Sequence, residues 1–363
     1  MTERMLTERE LNIYSRLCDD ESRLVFNARR HFALTKEKTH FADVFVNKEQ
    51  LAELVEKLNG KKYVIYGGSF CAAMLINHFN RIGISEFCMG IWDNNPNLQG
   101  KSWGKHIITA PKYDQICSID AFLISAMKSE TAASIVGILA SHGVSEEKIV
   151  TVKRFNAALG RCGYEGITQY LDEEIIVPRL EDGEVFIDAG CLDFTASSQL
   201  LNLASNVKRI YAFEPDYENM PFVLSGIDYN RAQSITKVYD CALWSSNEEL
   251  GFWVSDFNKG ASKLDAASSN VKVQGRKLDD LVLEDDKVSF IKMDIEGAEL
   301  DALKGAAEII KRDKPKLAIS IYHKASDYID LAEFICSLAP SYKLFMRHYS
   351  PSKHETVLYG VTD

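Results

Sequence analysis

The chain has no apolar run near the roughly 18 residues that a membrane-spanning helix needs. It also has no C-x-x-C pair among its cysteines and no excess of basic residues. Each absence excludes a class. Without a long apolar run, no membrane span is expected. The cysteines at 18, 71, 88, 117, 162, 191, 241 and 336 are scattered, several inside apolar stretches such as EFICSL around Cys336. They read as buried, reduced thiols rather than zinc ligands or a disulfide framework. Lysine and arginine number 42 against 52 acidic residues, a net charge of −10. The basic face that duplex nucleic acid requires is therefore not expected, and nucleic acid is not expected as a partner. The N-terminus, MTERMLTERE, is charged and lacks the apolar core of a secretion signal. Cytoplasmic residence is the resulting expectation.

What is present suits sizeable cores. Of 363 residues, 46% are hydrophobic and 26% charged, a length and balance expected of two or three soluble domains. Residues 1–60 read as an N-terminal helical segment, with LAELVEKL (51–58) amphipathic and stopped by Asn59-Gly60. Residues 61–153 read as a first α/β domain. KYVIYGG (62–68), EFCMGIWDNNP (86–96), DAFLISAM (120–127) and KIVTV (148–152) are its strands, and 69–83 and 130–143 its helices. Strands alternating with helices predict a parallel, doubly wound, Rossmann-like sheet. Residues 154–183, with Gly160, Gly163, Gly166 and Pro178, read as a linker in which ITQYLDEEII forms a short helix.

Residues 184–363 read as a second doubly wound domain of seven strands: 185–188, 209–215, 235–240, 288–294, 317–322, 342–348 and 355–361. The stretch GAELDALKGAAEIIKR (297–312) puts Leu300, Leu303, Ala307 and Ile310 on one helical face. The turn SPSKH is too short for a helical crossover, so the last two strands are expected to pair antiparallel. ELGFWVSD and VKVQGRKL, between the third and fourth strands, are expected to form an extra hairpin.

The chemistry concentrates at strand ends, where ligands sit in open α/β sheets. VSFIKMDIEGAE (288–299) runs from apolar residues into Asp294, Glu296 and Glu299. Asp188 and Gly190 follow the first strand, Glu214 the second and Asp240 the third. A glycine turn lets a cofactor approach the backbone, and an acid one strand–helix–strand later suits ribose hydroxyls. Seven strands with only the last reversed resemble the element order of class I S-adenosylmethionine methyltransferases.

The second domain further resembles the FkbM family of S-adenosylmethionine-dependent methyltransferases. The residues that carry the likeness are EVFIDAGCLDFTAS (184–197), YAFEPD (211–216), DCALWSS (240–246), KLDDL (277–281), FIKMDIEGAELDALKGA (290–306), SIYHK (320–324), RHYS (347–350) and ETVLY (355–359). IKMDIEGAE is the specific piece. The resemblance implies methyl transfer from S-adenosyl-L-methionine to a hydroxyl oxygen of a small-molecule acceptor, a sugar or another natural product. Carried over by position, Asp188, Gly190, Asp193, Glu214 and Asp240 are the cofactor-binding candidates. The family usually has glycine after its D-x-G-x-x-D; here Phe194 stands there. A looser turn or a reshaped methionine end is the resulting expectation.

On the acceptor side, Asp294 and Glu296 follow strand four, Tyr322, His323 and Lys324 follow strand five, Arg347 and His348 end strand six, and Glu355 opens strand seven. All are expected to face one cleft. His323 is the first choice for a general base, since its unperturbed pKa is near working pH. Asp294 and Glu296 are assigned to orienting the substrate or a loop lysine. No metal is assigned, although the alternative of one held by Asp294, Glu296 and His323 stays open. Alignment of reactants supplies about 7–11 kcal/mol, against roughly 3–5 kcal/mol from a base. Positioning therefore outweighs the identity of the base.

In the first domain, YGGSFCA offers Gly67, Ser69 and Ala72 where a dinucleotide fingerprint wants three glycines, with Asp93 after the next strand. This half is similar to the nucleotide-sugar-binding N-terminal domain of bacterial sugar O-acyltransferases. Three readings stay open: binding a nucleotide-linked acceptor, binding NAD, or bracing the second domain or a homo-oligomer. The alternative function is accordingly an NAD- or nucleotide-sugar-binding protein that is not a methyltransferase.

Overall fold

The computed structural model describes residues 6–37, 41, 48–68, 70–126, 129–151, 169–255, 260, 262–264, 267–350 and 353–362. The chain divides into two compact units, one of Lys38–Gly166 with Tyr349–Ser352, the other of Met1–Glu37, Ile167–His348 and Lys353–Asp363. The helical stretch read at 1–60 is thus shared between them. No helix among the described residues is long and apolar enough to cross a membrane.

The smaller unit is a six-stranded sheet of β1 (Tyr63–Tyr66), β2 (Cys88–Trp92), β3 (Ser102–Trp103), β4 (His106–Thr109), β5 (Ala121–Ile124) and β6 (Ile149–Thr151). Their order is β3-β4-β2-β1-β5-β6, parallel except where β3 meets β4. The four strands expected from the sequence are β1, β2, β5 and β6. The β3–β4 hairpin was not foreseen, because SWGKHIIT is too short to carry a periodic signal. One face is covered by the helices Lys48–Leu58 and Phe70–Ile82, through Leu54, Leu58, Leu75, Ile76 and Phe79. Ile135 and Leu139 of the helix Ser129–Ser141 pack on the other.

The larger unit contains β7 (Glu184–Ala189), β8 (Val207–Phe213), β9 (Thr236–Tyr239), β10 (Ala242–Leu243), β11 (Glu248–Trp253), β12 (Lys263–Leu264), β13 (Val271–Arg276), β14 (Phe290–Met293), β15 (Lys316–Ser320), β16 (Lys343–His348) and β17 (Thr356–Val361). Seven of them form a sheet ordered β16-β17-β15-β14-β7-β8-β9. Only β17 runs antiparallel to its neighbours. All seven expected strands are present, and the last is reversed as the short SPSKH turn requires. Strands β7, β14, β15 and β17 are buried along their whole length, which is why they read as continuous apolar runs rather than alternating ones.

The inserted segment forms a separate sheet, β10-β13-β11-β12, and β11 pairs antiparallel with β13 as expected. Two expectations need correction. The described part of ITQYLDEEII is a set of turns, not a helix. Asp172 accepts hydrogen bonds from Glu174 N and Ile175 N, both at 3.0 Å, an Asx turn that competes with helix. The stretch 297–312 is two helices, Glu299–Lys304 and Ala307–Asp313, not one.

Candidate active site

The turn after β7 is built around Gly190, whose φ is +72° and where a Cβ would lie 2.0 Å from the Asp294 carbonyl oxygen. Only glycine lets the turns after β7 and β14 meet this closely. Gly190 N and Cys191 N donate to Phe213 O at 3.0 and 3.1 Å, so the end of β8 holds the turn open. Glu214 completes the frame. Its carboxylate accepts from Leu192 N and from Asp216 N, both at 2.9 Å. Burial pushes the Glu214 pKa up, and the backbone donors partly offset this.

A cleft opens above these turns, lined by Gly190, Glu214, Leu243, Phe252, Asp294 and Glu296 among others. The remaining cofactor candidates do not line it. Asp188 is fully buried beneath the turn, 3.0 Å from Lys292 Nζ, and accepts from Ser197 Oγ at 2.6 Å. Lys292 also donates to Ala189 O and Gly190 O at 3.1 and 2.5 Å. Burial disfavours the Lys292 charge, but Asp188 and Asp294 outweigh it and hold its pKa up. Asp193 is exposed and accepts from Thr195 N at 3.0 Å at the start of a helix. Asp240 faces solvent at the end of β9; its neighbours Cys241 and Ala242 line the cleft instead.

Phe194 occupies a left-handed turn position, φ +70°, with no exposed surface. The turn that the family makes with glycine is therefore made here by Phe194, whose side chain is absent from the cleft lining and packs against Gly226.

At the other end of the cleft, Asp294 accepts from Tyr170 Oη at 2.6 Å and from Tyr322 Oη at 3.2 Å. Glu296 follows in a left-handed conformation, φ +56°. Glu299 turns back, so that its Oε1 accepts from Ile295 N at 3.0 Å and lies 2.9 Å from His323 Nδ1. His323 Nε2 lies 3.5 Å from Asp294 Oδ1 and 3.4 Å from Glu296 Oε2. Burial alone would lower the imidazole pKa, but Glu296, Glu299 and Asp294 outweigh it and raise it to about 11. His323 is then an imidazolium at neutral pH and has no site to accept a proton. Its unperturbed pKa, the reason for choosing it as base, does not apply among three carboxylates.

Glu355 joins this end, accepting from Gln169 Nε2 at 2.6 Å; burial and Asp294 push its pKa up. Arg347 and His348 do not join it. Arg347 pairs with Asp19 at 2.7 Å and His348 Nδ1 with Thr356 Oγ1 at 2.7 Å. Sequence reasoning missed Lys292, Tyr170, Gln169 and the inward turn of Glu299. A lysine inside the apolar run FIKM was a usable signal, since a buried lysine must be paired. For Tyr170 and Gln169 no local signal existed.

In the smaller unit the acid after β2 closes on the glycine turn itself. Asp93 accepts from Gly68 N at 2.6 Å and from Asn95 N at 2.7 Å. The Gly68 N–H that a phosphate would use is thereby taken.

Residues 193–342 match the family model described as the methyltransferase FkbM domain. That stretch is similar to the methyltransferase FkbM domain. The matched stretch of the FkbM domain begins at Asp193 and takes in Glu214, Asp240, Asp294, Glu296 and His323; Asp188 and Gly190 precede it. Among solved structures, the chain is similar to methyltransferase FkbM from Methylobacillus flagellatus KT at 20% identity, covering 94% of this chain and 99% of that one, with a TM-score of 0.44. It is similar to an rRNA methylase from Streptococcus thermophilus at 14% identity, over 52% and 92% of the two chains, TM-score 0.33. Fibrillarin from Aeropyrum pernix, with natively bound S-adenosyl-L-methionine, matches at 12% identity over 56% and 74%, TM-score 0.33. No curated protein matches the sequence.

Proposed function

We propose that this FkbM domain transfers a methyl group from S-adenosyl-L-methionine to a hydroxyl oxygen of a small acceptor, a sugar or a similarly hydroxylated compound. One observation carries the reading. Gly190 and Glu214, and Asp294 and Glu296, line a single cleft, so a cofactor end and an acceptor end are continuous.

The residues present fit the cofactor. Gly190 leaves the turn bare where a Cβ would collide. Glu214 is fixed by two backbone donors, and a carboxylate with about four lone-pair sites keeps acceptor capacity for vicinal hydroxyls. Leu243, Phe252 and Leu264 offer apolar surface beside it. Bound there, S-adenosyl-L-methionine would supply an electrophilic methyl carbon. Asp188 and Lys292 act from beneath, as a pair that positions the glycine turn.

At the acceptor end, Asp294 is held by two tyrosine hydroxyls and, with His323 protonated, is the group placed to accept the acceptor's proton. Several carboxylates facing one cleft suit an acceptor rich in hydroxyl donors. Calorimetry with S-adenosyl-L-methionine tests the reading, and Glu214→Ala is expected to weaken binding at least about tenfold, the loss of one charge-assisted pair of hydrogen bonds. A mass-spectrometric screen of sugars and nucleotide sugars should then find a gain of one CH₂. Heat with NAD and none with S-adenosyl-L-methionine would reverse the assignment.

A further inference from the structure

We propose that Ser262 and Asp216 fasten the inserted sheet against the cofactor end of the cleft and so set how long S-adenosyl-L-methionine stays bound. This rests on the reading of that end as the cofactor side. Two walls meet there. The turns of the main sheet give one, with Gly190 and Glu214. The insert gives the other, with Leu243 of β10, Phe252 of β11, Leu264 of β12 and Ser262 just ahead of β12.

Strand β12 is the part of that second wall with the least to hold it. It is 2 residues long and stands at the end of the insert's sheet. It pairs with β11 through Leu264 with Phe252 and Lys263 with Trp253. So short a pairing is marginal in water without further packing. Ser262 adds an anchor. Its Oγ donates to Asp216 Oδ2 at 2.6 Å and accepts from Ser255 N at 3.1 Å. One hydroxyl thus ties the chain leaving β11 and the chain entering β12 to the turn after β8.

Asp216 links this anchor to the cofactor carboxylate. It is 1% exposed, its Oδ1 accepts from Glu218 N at 2.9 Å, and its N–H donates to Glu214 Oε1 at 2.9 Å. The residue that receives the insert therefore also fixes Glu214. A hydrogen bond to a carboxylate is roughly twice as strong as one between neutral groups, and a buried acceptor left open adds the cost of its desolvation. Ser262 and Asp216 are positioning residues, since each acts through its neighbours. While the clamp holds, Phe252 and Leu264 stay beside the bound ligand. When it opens, that apolar contact is lost, and such losses appear chiefly in the rate of release.

The full-length chain would be immobilised and S-adenosyl-L-methionine passed over it, with association and dissociation read by surface plasmon resonance. Ser262→Ala should weaken binding about tenfold, nearly all of it as faster release, with far-ultraviolet circular dichroism unchanged. Ser262→Thr keeps the hydroxyl and should restore slow release. Asp216→Ala should show the same loss, and adding Ser262→Ala to it should bring no further loss, because the two act as one unit. If Asp216→Ala fails to fold, the two variants at Ser262 decide by themselves. Wild-type release from Ser262→Ala, a loss that threonine does not restore, or losses that add in the double variant overturn the clamp and leave the methyltransferase reading standing. No binding by the wild type defeats that reading, and the clamp's role with it.

Discussion

Phe194 stands where the resemblance to FkbM methyltransferases implies glycine, and the geometry says what a phenylalanine there costs. A non-glycine residue in the left-handed region loses about 1–2 kcal/mol. Phe194 is also fully buried, and losing a buried phenylalanine costs about 3–5 kcal/mol. The second effect is larger. Phe194→Gly is therefore expected to destabilise the protein by about 2–3 kcal/mol, measured by urea unfolding. A more stable variant would mean that the turn, not the packing, dominates. Gly190 is the opposite case, since a Cβ there meets backbone rather than a side chain that can move. His323 shows how far neighbours can carry a side chain from its reference behaviour: three carboxylates turn an expected base into a cation.

Strands and helices show the same dependence on neighbours. The helical pattern over 297–312 is continuous in sequence, yet the helix breaks at Gly305. A Cβ at Gly305 would lie 1.9 Å from the Trp244 carbonyl oxygen, so the chain of β10 passes where a longer helix would run. The second helix begins on a borrowed cap: Asp279 accepts from Glu308 N and Ile309 N at 3.2 and 3.0 Å, satisfying N–H groups that a helix start leaves open. In the central sheet, Lys292 of β14 stands in register with Asp188 of β7. Removing one member of such a buried pair costs about 3–5 kcal/mol, because a charge is left without its partner. Lys292→Met should show that loss in chemical denaturation, and Asp188→Asn added to it should restore most of it. A double variant as unstable as the single one would deny the coupling.

Across the larger unit, residues far apart in sequence share one fabric. The helix Asp20–Thr35 lies against the edge strand β16, and Glu8–Arg16 against the helix Asp327–Leu338. Leu17 bridges to Leu344, Met346 N donates to Ser22 Oγ at 2.9 Å, and Tyr328 donates to Glu10 at 3.0 Å. Buried Arg29 donates to Thr356 at 2.7 Å. A sheet edge with open N–H and C=O groups invites pairing with other chains, and the helix Asp20–Thr35 covers it. Deleting residues 1–37 is expected to lower the melting temperature by on the order of 5–10 °C and to raise light scattering on heating. A truncated chain that melts unchanged and stays monodisperse would show that the cover is dispensable.

Seven strands, their order along the chain and the reversal of the last were legible from apolar runs and one short turn, because burial on both faces and connection length are local properties. Gly190 and Glu214 were legible for a similar reason: strand ends in such sheets gather the site, and each lies at one. What no single stretch could reveal was which way each strand-end acid points. Asp188 lies in register with a lysine about a hundred residues away and is sealed beneath the turn, while Glu214 lines the cleft. The protonation of His323 depends on Glu299 folding back, and the setting of Asp294 on Tyr170 from a stretch read as linker. Those outcomes are sums of charge and contact over residues distant in sequence, and only the packed chain brings them within the few ångströms over which they act.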